Sequence, residues 1–344
     1  MAVIWTEGFE VFRTTGALAR RYISTTFNVT FGNGRLVSTR TSLRSTDAFS
    51  SLRLPVQGDL RHWTIGIAAF VDRMEEGMKL IRTMKGGVEQ TRLQFKDDGT
   101  GTGFKPELVV GPGSGTVVWT AGASFPYGFW YYFELKVDHQ STATGSIQLQ
   151  VNEFLLVNLT SIVTAPDGTA ENVAFDLEHK ASGGLVALDD IVIQADASSA
   201  QAFLGDCEIA GALPTADFLS QWSRSTGATN SALVDDADEA DDDSTYVYVN
   251  GDNFEDLYET EDVSLAGSII AVAVHTDVRL AASGARNLQH RVESGGSKSG
   301  GAIKVVSGTS YGIVSTIFAQ NPVTASAWSL SEVNAARFGQ LSSP

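Results

Sequence analysis

Three runs of apolar residues between positions 129 and 160 limit the folds open to this chain more than any other feature. Phe129, Tyr131, Phe133, Leu135 and Val137 share one parity, with Glu134, Lys136 and Asp138 between them in the second half of the run. Ile147, Leu149 and Val151 alternate with Gln148, Gln150 and Asn152 in the next. A period of two puts every other side chain on one face, so both runs read as half-buried strands of an antiparallel sheet, joined as a hairpin by polar residues 139–146. A third apolar run, 154–159, follows Asn152-Glu153, a break of the length of a tight turn although Glu is unusual at its second position. The three runs predict a sheet nucleus.

The rest of the chain continues the pattern. With 34 Gly, 8 Pro and only 19% charged residues, and with strand-like runs rich in Val, Ile, Thr and aromatics, the profile is all-β. Further strands are expected at 23–30, 35–40, 49–55, 63–71, 78–84, 89–96, 105–110, 115–120, 171–178 and 185–194, spaced as in a sandwich. A second set follows at Ile270, Val272, Val274 and Val278, then 286–293, 302–306 and 311–319. One short helix is expected near each end. Thr14-Thr15 caps the first, over 16–22. Ser329 caps the second, with Glu332 completing a capping box, Trp328 stapled onto Val333 and Gly339 as the stop. At 344 residues there is room for two cores. The expectation is therefore two tandem antiparallel β-sandwich (jelly-roll) domains, 1–195 and 203–344, joined by a small polar linker at 196–202.

Charge narrows the partners. Residues 1–198 hold 17 Lys+Arg and 21 Asp+Glu, a net of −4, and residues 199–344 hold 7 and 19, a net of −12. No basic stripe offsets this, which argues against nucleic acid or an anionic membrane surface. A single cysteine, Cys207, allows no intrachain disulfide and reads as a small buried apolar residue. The start lacks a secretion signal and no run approaches the ~20 apolar residues of a membrane span, so synthesis in a cytoplasm is expected. The sequons at Asn28 and Asn158 are then chance matches.

Catalytic patterns are missing. His62, His139, His179, His275 and His290 are scattered, with no His-x-x-x-His pair or Cys cluster. There is no Gly-x-Ser-x-Gly elbow and no P-loop, and Gly99-Thr100-Gly101-Thr102-Gly103 lies between strands as a turn. Glu134 and Asp138 share a strand face, but Lys136 stands between them, which suits a solvated edge better than an acid/base pair. Seven acids crowd the nine positions 235–243. Asp241, Asp242 and Asp243 there are the candidates for a charged subunit contact, the favoured reading, or for calcium, the one candidate ligand ion. Asp189 and Asp190 are a second acidic place that could hold calcium, but alternation sends only one of them inward, where capping backbone amides is the favoured reading. Trp130 and Tyr132, opposite Phe133, are candidates for glycan contact, with core packing as the alternative.

Several blocks together carry a resemblance. The hairpin at 129–160 and the closing Leu188-Asp189-Asp190-Ile191-Val192-Ile193 resemble laminin-G-like, concanavalin-A-like sandwiches, in which that closing strand returns beside the N-terminal one. The opening Ile4-Trp5-Thr6-Glu7-Gly8-Phe9-Glu10, then Phe203-Leu204-Gly205-Asp206, Gln221-Trp222, the acidic loop leading into Ser244-Thr245-Tyr246-Val247, and Trp328-Ser329-Leu330-Ser331-Glu332-Val333-Asn334-Ala335-Ala336-Arg337-Phe338-Gly339 resemble a family of tailed-bacteriophage virion proteins. The resemblance implies a non-enzymatic structural component of a phage particle, in the tail or adsorption apparatus, with other phage subunits as partners, a homo-oligomeric state in the virion and a host-surface glycan as a further candidate contact. A capsid decoration protein and a carbohydrate-binding or carbohydrate-degrading protein are the alternatives. Fold alone does not choose among them.

Overall fold

A computed structural model describes residues 3–9, 15–22, 29–35, 41–45, 49–73, 77–178, 185–198, 202–236 and 241–343. Contacts divide the chain into two units, Met1–Phe9 with Tyr22–Ile209, and Glu10–Arg21 with Ala210–Pro344. The chain thus crosses between units three times. The sequence placed the boundary near 195; by contacts unit 1 runs on to Ile209.

Unit 1 contains fifteen strands among its described residues: β1 (Val3–Glu7), β2 (Val29–Asn33), β3 (Thr41–Ser45), β4 (Phe49–Arg53), β5 (His62–Val71), β6 (Met78–Lys85), β7 (Val88–Asp97), β8 (Gly103–Val110), β9 (Thr116–Thr120), β10 (Phe125–Pro126), β11 (Phe129–Asp138), β12 (Gly145–Val151), β13 (Phe154–Ile162), β14 (Asn172–Glu178) and β15 (Val186–Asp196). Of the expected strands at 23–30 and 35–40, residues 23–28 and 36–40 lie outside the described residues, as do Thr14, Asn28, His179 and 237–240. One sheet runs β13-β12-β11-β5-β15-β3-β2, with β1 paired to β15, and the other runs β10-β8-β7-β6-β14-β4, with β9 paired to β8. The closing strand does return beside the first. All pairings are antiparallel.

The alternation read in β11 and β12 becomes a core. Phe133, Leu135 and Val137 face inward beside Ile147, Leu149 and Val151, and all six are buried. Phe133 meets Phe95 of the opposite sheet at 5.2 Å between ring centres, and Phe95 meets Phe104 at 4.4 Å. Asn152 and Glu153 join β12 to β13 with φ of 47° and 67°. Two positive φ values are the geometry of a type I′ hairpin, whose twist matches the strands, so Glu at the second position is accepted.

Unit 2 takes α1 (Thr15–Arg21) and ten strands among its described residues: β16 (Pro214–Ser220), β17 (Ser223–Arg224), β18 (Val247–Tyr248), β19 (Glu255–Thr260), β20 (Val272–Val278), β21 (Arg286–Ser294), β22 (Ser297–Gly300), β23 (Lys304–Val306), β24 (Gly312–Phe318) and β25 (Arg337–Ser343), with α2 (Leu330–Ala335) before the last. An antiparallel sheet β16-β19-β25-β21-β22, with β23 on β21, faces the ribbon β20–β24. Val292 of the sheet, Phe318 of the ribbon, Trp328 and Ala336 form the core between them, with Val272, Val274, Val333 and Phe338 against it. His290 ties the layers, meeting Thr276 Oγ1 at 3.0 Å and Thr316 Oγ1 at 2.8 Å.

The capping box at Ser329 forms as expected: Ser329 Oγ accepts the Glu332 amide, and the Glu332 carboxylate accepts the Ser329 amide. Gly339 does not stop the helix. Ala336, already extended, ends it, and Gly339 lies inside β25 opposite Leu257. A methyl group there would overlap the Asp256 carbonyl oxygen, so glycine is required by the close approach of two backbones.

Candidate functional site

A group of ionisable side chains in unit 1 lies on the outer face of the first sheet, beneath residues 203–209. β5 presents Thr64, Gly66 and Ala68 on that face, small enough for neighbours to lie over them. Tyr132 does so, because a methyl group on Gly66 would overlap the Tyr132 hydroxyl. The Arg35 guanidinium stacks over the Tyr132 ring, 5.2 Å from its centre. Tyr132 is 1% exposed and Cys207 5%. Tyr132 is therefore a core residue and no glycan contact, the alternative the sequence allowed. Burial, with the neighbouring thiol and carboxylates, raises its phenol well above the ordinary value, and burial pushes the Cys207 thiol up to about 12.

Carboxylates hold the overlying segment. Glu134 accepts the amides of Leu204 at 2.7 Å and Gly205 at 3.1 Å, and Asp190 accepts that of Ile209 at 2.8 Å. Arg35 donates to Asp190 at 3.0 Å, to Asp206 and to the Cys207 carbonyl at 2.7 Å. Glu134 is thus buried and engaged, not on a solvated edge, and Asp138 is occupied separately by Arg61 at 2.6 Å. Burial raises Glu134 to about 7, although the two amides pull the other way. The strict alternation expected at Asp189-Asp190 is broken. The pairing of β15 with β5 shifts register between Asp189 and Val192, and Asp190 has φ 49°. This bulge lets both side chains be buried together. Asp189 accepts the amides of Arg35 and Asp190, and its pKa is raised by burial and by the Asp190 charge.

Trp130 is half-buried and packs on Phe70 at 5.7 Å. The opposite sheet carries a second polar group that the sequence reading missed. Glu89 is shared by Lys79 and Arg92, Arg92 also holds Gln94 at 2.6 Å, Gln94 and Thr120 hold Glu107, and Arg82 grips Asp176 at 2.5 and 2.7 Å. Each carboxylate here has a fixed partner. The alternation of β6, β7 and β8 contained the signal, but it could not say that the polar residues pair with one another. His139, also buried, spans Thr83 and the Arg61 carbonyl and is pushed down to about 4 by burial.

In unit 2 the acidic loop finds partners within its own unit. Asp241 folds back on Thr245, accepting its amide at 2.9 Å and its hydroxyl at 2.8 Å. Asp242 pairs with Arg20 of α1 at 2.9 Å, and Arg20 also reaches Asp277. Asp243 takes Arg279 at 2.6 Å and the Tyr311 hydroxyl at 3.0 Å. The Tyr311 ring lies 5.4 Å from the Arg20 guanidinium and 5.2 Å from that of Arg279. The three aspartates are therefore internal ties. Among the described residues, no group of three or more His, Cys, Asp or Glu is arranged to hold a metal ion, and no helix is long and apolar enough to cross a membrane.

A second hub in unit 2 is Asp256, fully buried, whose Oδ1 accepts the amides of Gln221 and Trp222 at 2.7 and 2.9 Å and whose Oδ2 accepts Asn230 Nδ2 at 2.7 Å and the Tyr258 hydroxyl at 2.9 Å.

No family model matches the chain, and no curated protein matches it. Among solved structures, it is similar to an endo-β-1,4-glucuronan lyase from the fungus Trichoderma reesei, at 11% identity and a TM-score of 0.41, over 56% of this chain and 95% of that one. It is similar to a marine alginate lyase from Aplysia kurodai at 9% identity and a TM-score of 0.42, over 57% and 100%. Domain 4 of an extracellular arabinanase from Geobacillus stearothermophilus matches at 10% identity and 0.34, over 56% and 82%. Scores of this size assign neither an activity nor a substrate to the chain.

Proposed function

We propose that this chain is a non-enzymatic structural component of a tailed-phage particle, with the tail or adsorption apparatus as its place. One observation carries the reading: the blocks behind the family resemblance serve the chain's own architecture. Glu7 accepts the Phe9 amide at 3.1 Å and the Tyr22 hydroxyl at 3.3 Å. The Leu204-Gly205-Asp206 block is strapped onto Glu134 and Arg35, and Gln221-Trp222 hangs on Asp256. The acidic loop fixes α1, and the closing block supplies a capped helix and the central strand β25. Residues used in this way suit a rigid building block. Fold alone remains silent on function.

Mass spectrometry of purified particles, with copy number, tests the proposal, and labelling the protein on intact virions separates a tail position from capsid decoration. Absence of the chain from particles refutes it. The carbohydrate-degrading alternative predicts product release from polysaccharides that is lost on replacing one carboxylate. Glu134→Gln is the first variant to assay, since Glu134 is the carboxyl group closest to a general acid's range.

A further inference from the structure

β13 ends the first sheet, and among the described residues no strand pairs with its far side. At nine residues it is longer than β2, β4, β10, β16 or β22, which end the larger sheets elsewhere. An open edge offers a row of backbone donors and acceptors to any strand that meets it, and edges are ordinarily blunted by charge, Pro, bulges or shortness. Thus β10 is two residues with Pro126, β16 holds Pro214 and Asp217, and β22 holds Lys298. β13 has neither Pro nor charge, and positions 154–166 carry no ionisable side chain at all. Two bulges leave Leu156 and Ser161 unpaired, but between them 157–160 pair with 146–149 in unbroken register. The apolar side chains are uncovered as well. Val157 and Leu159 lie opposite Leu149 and Ile147 of β12, on the core face. The β12 pair is fully buried, whereas Val157 and Leu159 are only half-buried and Phe154 is 75% exposed.

We propose that β13 is a self-pairing edge, which joins the first sheets of two copies of this chain across a twofold axis normal to the sheet. Antiparallel pairing of a strand with its own copy is isologous, so one edge supplies both halves of the contact. Side chains directly opposite in an antiparallel pair share a face, so the axis must pass beside a residue rather than between two. With Asn158 on the axis, Val157 meets the partner's Leu159 and Leu159 meets the partner's Val157. Both apolar residues are then matched on the core face within the regular stretch. With Leu159 on the axis, Val157 would face the bulged Ser161 instead. Charge selects the occupant. The chain carries a net −16, so copies repel one another on average, whereas this neutral edge lets two of them approach without like charges meeting. The inference goes beyond the phage reading and does not depend on it.

Sedimentation velocity of the intact chain between about 1 and 100 μM reads the dimer, because pairing along one edge is smaller than a standard interface and micromolar dissociation is expected. Asn158 and Thr160 are exposed, opposite Gln148 and Ser146 on the polar face. Replacing both, Asn158→Lys with Thr160→Lys, therefore leaves the monomer's own packing in place and sets like charges against each other at the axis. The dimer dissociation constant should rise at least about tenfold, with the melting temperature of the dilute protein unchanged. A chain that stays monomeric over the whole range overturns the proposal, as does a dimer that the double variant leaves as tight as wild type. If the double variant does not fold, hydrogen exchange on the wild type decides: amides in 154–162 must gain protection as concentration rises. No gain, or a gain confined to other segments, refutes the pairing. The purified chain gives this result by itself, so its failure is distinct from absence of the chain from particles.

Discussion

Replacing Asp256 should damage unit 2 in graded steps. In Asp256→Ala four donors lose their acceptor at once: the amides of Gln221 and Trp222, the Asn230 side chain and the Tyr258 hydroxyl. Asn230 and Tyr258 are buried, so water cannot readily replace the carboxylate. A hydrogen bond to a charged acceptor contributes about 1.5–3 kcal/mol, but four on one group are not additive. A buried donor left without an acceptor costs about 1–3 kcal/mol, and with Asn230 and Tyr258 both stranded about 3–5 kcal/mol is the expected loss for Ala. Asp256→Asn keeps an oxygen for the two amides, and the Tyr258 hydroxyl can rotate to accept from the new NH2, which leaves a donor facing Asn230. About 1–2 kcal/mol should be lost. Because two units need not unfold together, the assay is denaturant-dependent hydrogen exchange followed on peptides from 217–233 and 255–260. An Ala variant within about 1 kcal/mol of wild type, or one more stable than Asn, refutes the reasoning.

Gly339→Ala should cost about 3 kcal/mol or more in unit 2, because both clashing partners are backbone and neither β19 nor β25 can yield alone; a melt unchanged from wild type would count against the close approach. Joint replacement of Asp241, Asp242 and Asp243 by Asn should speed amide exchange in α1 and around Tyr311, while calcium leaves the melting temperature of wild type unchanged; a melting temperature that climbs with calcium contradicts this. His139, held near 4 when buried against an ordinary 6.5, binds fewer protons folded than unfolded, so its contribution is present above 6.5 and lost as pH falls toward 4. The difference in unit 1 stability between wild type and His139→Asn should shrink over that window; a difference independent of pH refutes it.

What was legible in the sequence was periodic or local. β11 and β12 were visible because one face of each is core, the tight turn because only two residues separate the runs, and the α2 cap because its partners lie three residues apart. What was hidden depended on distant partners or on a break in the period. Alternation put Trp130 and Tyr132 on the face opposite Phe133, but only residues 203–209 and Arg35 decide that Tyr132 is covered. The bulge at Asp189-Asp190 needs a positive φ that an Asp-Asp pair does not announce. Gly339 follows a helix in the manner of a stop signal, and only the register of β19 reveals its use within a strand. The acidic loop looked unpartnered because Arg20 lies 222 residues from Asp242 and 257 from Asp277.

That separation turns into a delay during synthesis. α1 leaves the ribosome well before β20 and β24, to which its arginines tie. At about 5–20 residues per second the wait from Arg20 to Asp277 is roughly 13–50 s, long against the microseconds in which a helix forms and melts. A seven-residue helix is not stable alone. The strands of unit 1 can therefore assemble while residues 15–21 remain an unsatisfied loop between them, and unit 2 closes only by taking back a piece of chain made long before the rest of it.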